Sequence, residues 1–199
     1  MGMDLGERML HSPWKRVALL LLLCAGAARP AWAQMFDQPL SVDVGVNYTA
    51  DIANAGPGSC GCFALQGGGV NARLALTARL SAVADFSVVH AGTVSGANYG
   101  LGLMTLMAGP QFRHSMGHYT PYGQFLMGAV RGFDSVFPAS TSTSASAFIF
   151  EAGGGSELVL TPKVSARILD LDYMRSDLPN DANNWQNHFK ISAGIIYHF

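Results

Sequence analysis

The chain has 199 residues, 49% hydrophobic and only 13% charged, with a formal net charge of −1. Average soluble domains carry roughly 25% charged residues, so the composition argues against a disordered chain and against a nucleic-acid-binding surface. Beyond the N-terminal segment no run reaches the roughly 18 apolar residues of a membrane-crossing helix, which leaves a β protein with short apolar runs, either buried or facing lipid.

In chain order, the first element is a targeting signal. Lys15 and Arg16 precede a twelve-residue apolar run, Val17 to Ala28, and Arg29-Pro30-Ala31-Trp32-Ala33 follows. A basic lead, a short apolar run and an Ala-x-Ala site form a secretory signal peptide. Ala31 and Ala33 suit the narrow pockets of a signal peptidase, so cleavage is expected between Ala33 and Gln34. Residues 1–33 are thus the signal peptide and 34–199 one mature domain, with eight Lys and Arg against eleven Asp and Glu.

The mature chain then alternates. From Leu40 to Ile52 every even position is apolar, while Ser, Asp, Gly, Asn and Thr fill the odd ones. A helix would scatter Asp43, Asn47 and Asp51 around its circumference; a strand puts them on one face. The pattern returns in Val70 to Leu80 and in Trp185 to Phe199, where Gln186, His188, Lys190 and Ser192 share a face. Weaker candidates at 84–95, 99–113, 119–131, 147–160 and 164–175 bring the count to eight. Connections at 53–69, 132–146 and 176–184 are long and that at 96–98 short, against tight turns near 81–83, 114–118 and 161–163. An even number of dyad-patterned segments with alternating connection lengths predicts an all-β, eight-stranded antiparallel up-and-down transmembrane β-barrel. Trp185 and Tyr173 near the long loops and Tyr197 and Phe199 near the terminus fit interfacial aromatic girdles.

The chain closes on Ser192-Ala193-Gly194-Ile195-Ile196-Tyr197-His198-Phe199. This resembles the C-terminal assembly signal of bacterial outer-membrane proteins, with Ser192, Gly194, Tyr197 and Phe199 at the matching positions. Ala108-Gly109-Pro110, Pro121-Tyr122-Gly123, Gly153-Gly154-Gly155 and Asp172-Tyr173 are similar to recurrent pieces of the small outer-membrane β-barrel domain family, of the OmpA/OmpX type. The resemblance covers nearly all of residues 40–199 and includes no periplasmic peptidoglycan-binding domain. It implies an outer-membrane location and a structural or cell-surface interaction role. The implied partners are outer-membrane lipid and lipopolysaccharide, with the barrel assembly machinery during biogenesis. The surface-loop ligand is unassigned, and no nucleic acid, cofactor, metal or catalytic residue is expected. A rim-active lipid-modifying enzyme and a narrow passive channel are the alternatives.

Candidate chemistry is sparse. His114 and His118 have helical ligand spacing, but Ser-Met-Gly between them reads as a turn. No His-x-Ser-Asn stretch like that of lipid A deacylases occurs, and neither Gly67-Gly68-Gly69 nor Gly153-Gly154-Gly155 leads into a phosphate-binding helix; both read as close-approach points in a curved sheet. Cys60 and Cys62 lie in the first long loop, where a small strained disulfide, free thiols or an interchain bond are all open. If the last two strands form a symmetric hairpin, Asp170 faces Lys190 and Asp172 faces His188. The same reasoning on the first hairpin sets Asp43 against Arg79 and Asp51 against Asn71, giving charge pairs in a plugged lumen. By parity Arg167 points at lipid unless a bulge turns it or it snorkels.

Overall fold

A computed structural model describes residues 41–54, 62–94, 100–135, 143–179 and 184–199. Ala31, Ala33 and the rest of the segment expected to be a signal peptide lie outside these residues. Eight strands follow one another in sequence: β1 (Val42–Asn54), β2 (Cys62–Ala75), β3 (Leu80–Ala91), β4 (Leu101–Arg113), β5 (Tyr119–Phe133), β6 (Ala145–Thr161), β7 (Val164–Ser176) and β8 (Gln186–His198). Each pairs antiparallel with its neighbours, and β8 returns to β1, closing the barrel. Closure leaves no strand edge unpaired, which is the condition a β structure must meet in lipid.

The registers fix the size of the barrel. Following directly paired residues around one circuit runs Tyr122, Gly155, Asp170, Ser192, Thr49, Gly67, Val89, Leu103 and back to β5 at Gly132. The circuit returns ten residues farther along the strand, so the strands tilt, and with eight of them the interior is only wide enough for side chains. Along β1 to β4 and β6 the odd positions face inward, and along β5 and β8 the even ones. Outward positions carry Val46, Tyr48, Val70, Leu106, Phe125, Phe148 and Ile195, all exposed. An apolar face this extensive on a closed sheet is the surface a lipid bilayer covers.

Three turns, at 76–79, 114–118 and 162–163, lie at one end together with Val42 and His198. The four longer connections lie at the other. These are called the turn end and the loop end. Gly117 has φ 68 in the 114–118 turn, a left-handed conformation that glycine adopts without steric penalty. At Gly194 a Cβ would sit 2.2 Å from the Val46 carbonyl oxygen, so only glycine lets β8 come this close to β1.

The first hairpin differs from its sequence expectation. Residues 62–69, expected in a loop, form the first half of β2, and the turn expected at 81–83 lies at 76–79. Thr77 makes that turn: its Oγ1 accepts from the Arg79 and Leu80 amides, at 3.2 and 2.9 Å, while the Leu76 and Thr77 amides donate to the Leu80 carbonyl. The apolar alternation of Leu74, Leu76, Ala78 and Leu80 runs straight across this turn and masked it. Asp43 is consequently opposite Arg73, and Arg79 lies exposed in the turn. Asp51 is likewise opposite Leu65 and not Asn71.

Candidate functional site

The inward-facing rows define the candidate site, because there the chain buries charge. At the turn end Glu157 of β6 is buried and sits among three arginines. Its Oε1 lies 2.7 Å from Nη1 of Arg73 and 3.5 Å from Nη2 of Arg167, and its Oε2 lies 3.2 Å from Nη2 of Arg113. Arg73 also reaches Asp43, Nη2 to Oδ2, at 2.7 Å, and its Nη1 donates to Gln111 at 3.2 Å. Asp43 in turn is 2.7 Å from Nδ1 of His198. Such buried ions persist only when paired and hydrogen-bonded, since unpaired charge away from water is costly.

Arg167 is inside because the strand is irregular. The β7 register shifts between Arg167 and Asp170, leaving Ile168 and Leu169 both exposed on the outer face and returning Arg167 to the lumen. There it lies 3.4 Å from Asp170 and 5.3 Å over the Tyr122 ring. A β-bulge inserts one residue and flips the alternation, which resolves the clash between parity and charge at this position.

A second cluster surrounds Lys190, buried on β8. It contacts Glu151 through Oε2 and lies 3.5 Å from Asp172. Gln124 donates to both carboxylates, at 3.2 and 3.1 Å. The last hairpin is offset by two residues from the symmetric expectation: Asp172 is opposite Lys190, and Asp170 opposite Ser192. His188 therefore does not meet Asp172; its Nδ1 is 3.1 Å from Asp51 on β1. Asp170 pairs with Arg167 in place of Lys190.

Toward the loop end the inward residues turn apolar. Ala53, Leu65, Val89, Leu103, Val130 and Ile149 pack into one cluster, and Leu178, from the connection after β7, joins it from above. Between this cluster and the Lys190 group lies an enclosed cavity of ≈ 10 Å³, lined in part by Asp51, Thr105, His188 and Lys190. That is room for about one water.

The four residues of the terminal pattern all sit on the closing seam or next to it. Ser192 faces the lumen and is buried, and Gly194 is where β8 touches β1. Tyr197 faces outward, its ring edge-on to Phe199 at 4.8 Å, and the Phe199 amide donates to the Val42 carbonyl. Cys62 is exposed and has no disulfide partner among the described residues, while Cys60, the other half of the candidate pair, lies outside them. At the loop end the Tyr173 hydroxyl donates to Asn187 at 2.6 Å and Arg175 lies 4.0 Å over the Trp185 ring.

Glu151, Glu157, Arg113, Gln111 and Gln124 were not singled out from the sequence. The signal for the two glutamates was present: Ile149, Glu151, Gly153, Gly155 and Glu157 share parity, and a carboxylate on that row points inward. What parity does not supply is which strand faces across the lumen.

The family model for the outer membrane protein beta-barrel domain matches residues 17–199. No curated protein sequence matches the chain. Among solved structures, Neisserial surface protein A is similar with TM-score 0.62 and 17% identity, over 79% of this chain and 97% of that one. Ail, the attachment invasion locus protein of Yersinia pestis, gives 0.54 and 16%, over 81% and 100%. OprG from Pseudomonas aeruginosa gives 0.50 and 10%, over 83% and 98%. At these identities the likeness is one of fold.

Proposed function

Because the chain belongs to the outer membrane protein beta-barrel domain family, we propose that it resides in a bacterial outer membrane as a structural or surface-interaction protein, neither an open pore nor an enzyme. In this reading residues 1–33 direct export and are removed. The turn end faces the periplasm and the loop end faces out, following the rule that such barrels have short periplasmic turns and longer outer loops. The bilayer and lipopolysaccharide surround the apolar face, and the barrel assembly machinery reads the Ser192, Gly194, Tyr197 and Phe199 pattern before closure.

The observation that carries the reading is the interior. Ion pairs occupy its turn-end half and an apolar cluster its loop-end half, with the ≈ 10 Å³ cavity between them. A continuous water column would need the apolar cluster and the Glu157 group both to part. The names of two similar structures, a surface protein and an attachment invasion locus protein, favour a contact role for the loop end.

Planar-bilayer recording of the purified, refolded protein tests this. No stable open level is expected, and a large steady conductance would overturn the closed interior. Lipid A from cells expressing the protein should keep its acyl pattern by mass spectrometry; a reproducible gain or loss of a chain moves the protein among the enzymes.

A further inference from the structure

A surface pocket of ≈ 390 Å³ opens at the turn end, lined by Arg79, Phe112, Arg113, His114 and Gly123 among others. Two adjacent hairpins build it. The Arg113 amide donates to the Arg79 carbonyl at 2.8 Å, joining the β2–β3 turn to the end of β4, and the His114 amide donates to Pro121 at 3.0 Å across the β4–β5 turn. Three cationic or protonatable side chains thus converge on one concavity. The Arg79 and His114 side chains are exposed and have no hydrogen-bond or ion-pair partner among the described residues. Arg113 is held from behind by Glu157 at 3.2 Å and Asp43 at 3.7 Å, and its buried Nε has no partner among the described residues.

The surroundings define the ligand. All exposed carboxylate side chains among the described residues, Asp134 and Asp177, are at the loop end, while the turn end carries Arg79, His114, His118 and Lys163. The exposed side-chain charge there is therefore positive. The Phe199 carboxylate at the β1–β8 seam is the exposed anion of that end, and Glu157 and Asp43 engage Arg113 from the lumen side, which leaves Arg79 and His114 as the unpaired groups facing a ligand. The pocket is also continuous with the lipid-facing wall: Phe112 is 63% exposed on that face, and Gly123, paired with it in register, adds no side chain. An anion on the guanidinium groups can therefore carry an apolar tail down the outside of the barrel beside Phe112. Planar guanidinium groups bind phosphate oxygens through paired N–H donors.

We propose that the Arg79–Arg113–His114 pocket binds the phosphate headgroup of an anionic phospholipid in the leaflet at the turn end, with an acyl chain laid against Phe112. The proposal rests on the periplasmic placement of the turns only for which leaflet supplies the lipid. The site itself is independent of that placement.

Native mass spectrometry of the refolded full chain in detergent micelles provides the test, with dioleoyl phosphatidylglycerol, dioleoyl phosphatidylcholine and inorganic phosphate as probes. The wild type should retain one phosphatidylglycerol in preference to phosphatidylcholine. Arg79→Gln/His114→Gln should weaken retention about tenfold or more, the loss expected for removed charge-assisted contacts. Lys163→Gln, which removes one charge from the same end outside the pocket, should leave retention unchanged. Both changed sites are exposed turn positions, and the heat-dependent gel shift of a folded barrel confirms that each variant folds. Equal retention by the double variant overturns the site, and equal loss from Lys163→Gln reduces it to a general field. Displacement of the lipid by inorganic phosphate makes it a free-anion site instead. Orientation is read separately: in a Cys60→Ser/Cys62→Ser background, an impermeant maleimide on intact cells should label Asp177→Cys and spare Lys163→Cys. The reverse labelling would overturn the periplasmic placement of the turns while leaving the lipid measurement as it stands.

Discussion

At the turn end of the interior one carboxylate, Glu157, holds three guanidinium groups, whereas at the loop end Leu65, Leu103, Val130 and Ile149 pack against one another. The two halves bury their residues for different reasons. Apolar packing is non-directional, so the loop-end cluster accepts any register that keeps its side chains inside. Ion pairs are directional, and each partner here comes from a different strand: Asp43 from β1, Arg73 from β2, Arg113 from β4, Glu157 from β6, Arg167 from β7. A slip of two residues between any neighbouring pair would leave one of these charges unmatched in a dry interior. The turn end thereby constrains the register in which the barrel closes, and in the proposed reading the loop end keeps water out of its mouth.

Breaking the turn-end set should have the largest effect. Glu157→Gln leaves Arg73, Arg113 and Arg167 without their shared counter-charge, and losing one partner of a buried set costs about 3–5 kcal/mol. The folded, heat-shiftable form in lipid should give way at clearly lower urea than the parent; an unchanged midpoint would mean that water or the bilayer interface already screens the cluster. Lys190→Met should cost nearly as much, because it strands Glu151 and Asp172. Adding Glu151→Met to it should recover a large part of that loss, since an apolar pair of similar volume often replaces a buried ion pair at little cost. Absence of recovery would show that Asp172, and not Glu151, is the partner that matters.

Much of this contrast was legible in the sequence, but unevenly. Parity placed Asp43, Asp51, Asp170, Asp172, His188 and Lys190 on inward rows, because a strand's period of two carries that information within itself. Register was not legible, because it depends on where turns fall, and the Thr77 turn is hidden inside an unbroken apolar alternation. The six-residue error there moved Asp43 from Arg79 to Arg73. The two-residue offset of the last hairpin exchanged every expected partner on β7 and β8. Pairs between strands that are not consecutive in the chain, such as Lys190 on β8 with Glu151 on β6 or Asp51 with His188 at the β1–β8 seam, join segments distant in sequence. No local pattern encodes them. The Arg167 bulge is the instructive intermediate: an arginine at a lipid-facing parity was itself the sign that the alternation breaks between 167 and 170.

The loop end should respond less steeply. Leu65→Ala removes a fully buried side chain from the apolar cluster, and large-to-small core changes cost about 2–5 kcal/mol. At the mouth of a barrel neighbouring side chains can collapse into part of the gap, so a loss near the lower bound is expected, read as a modest drop in urea midpoint. The same variant sharpens the comparison in a second way: with the turn-end ion pairs intact, it should remain non-conducting in a planar bilayer. A new open level in Leu65→Ala would mean that the apolar cluster alone seals the interior.

The smallest effect is expected at Asp85, which tests whether all the charge inside is used. Among the described residues seven carboxylates are buried in the interior, against the buried Arg73, Arg167 and Lys190 and the half-buried Arg113. The negative groups therefore outnumber their permanent partners. Asp85 is the clearest surplus member: it is 6% exposed, its Oδ1 has no hydrogen-bond partner among the described residues, and its register neighbours Asn71 and Met107 are uncharged. Lys190, in the adjoining cluster, already contacts Glu151 and Asp172. A buried carboxylate without a dedicated partner pays the desolvation cost with little return, and an amide of the same shape removes that cost while keeping the volume. Asp85→Asn should accordingly unfold at the urea concentration of the parent or slightly above it, within about 1 kcal/mol. Set beside Glu157→Gln, which makes the same chemical change to a carboxylate that three arginines share, the pair of variants separates charge that specifies closure from charge that is merely enclosed. A loss at Asp85→Asn comparable to that at Glu157→Gln would erase the distinction and make the whole interior one coupled network.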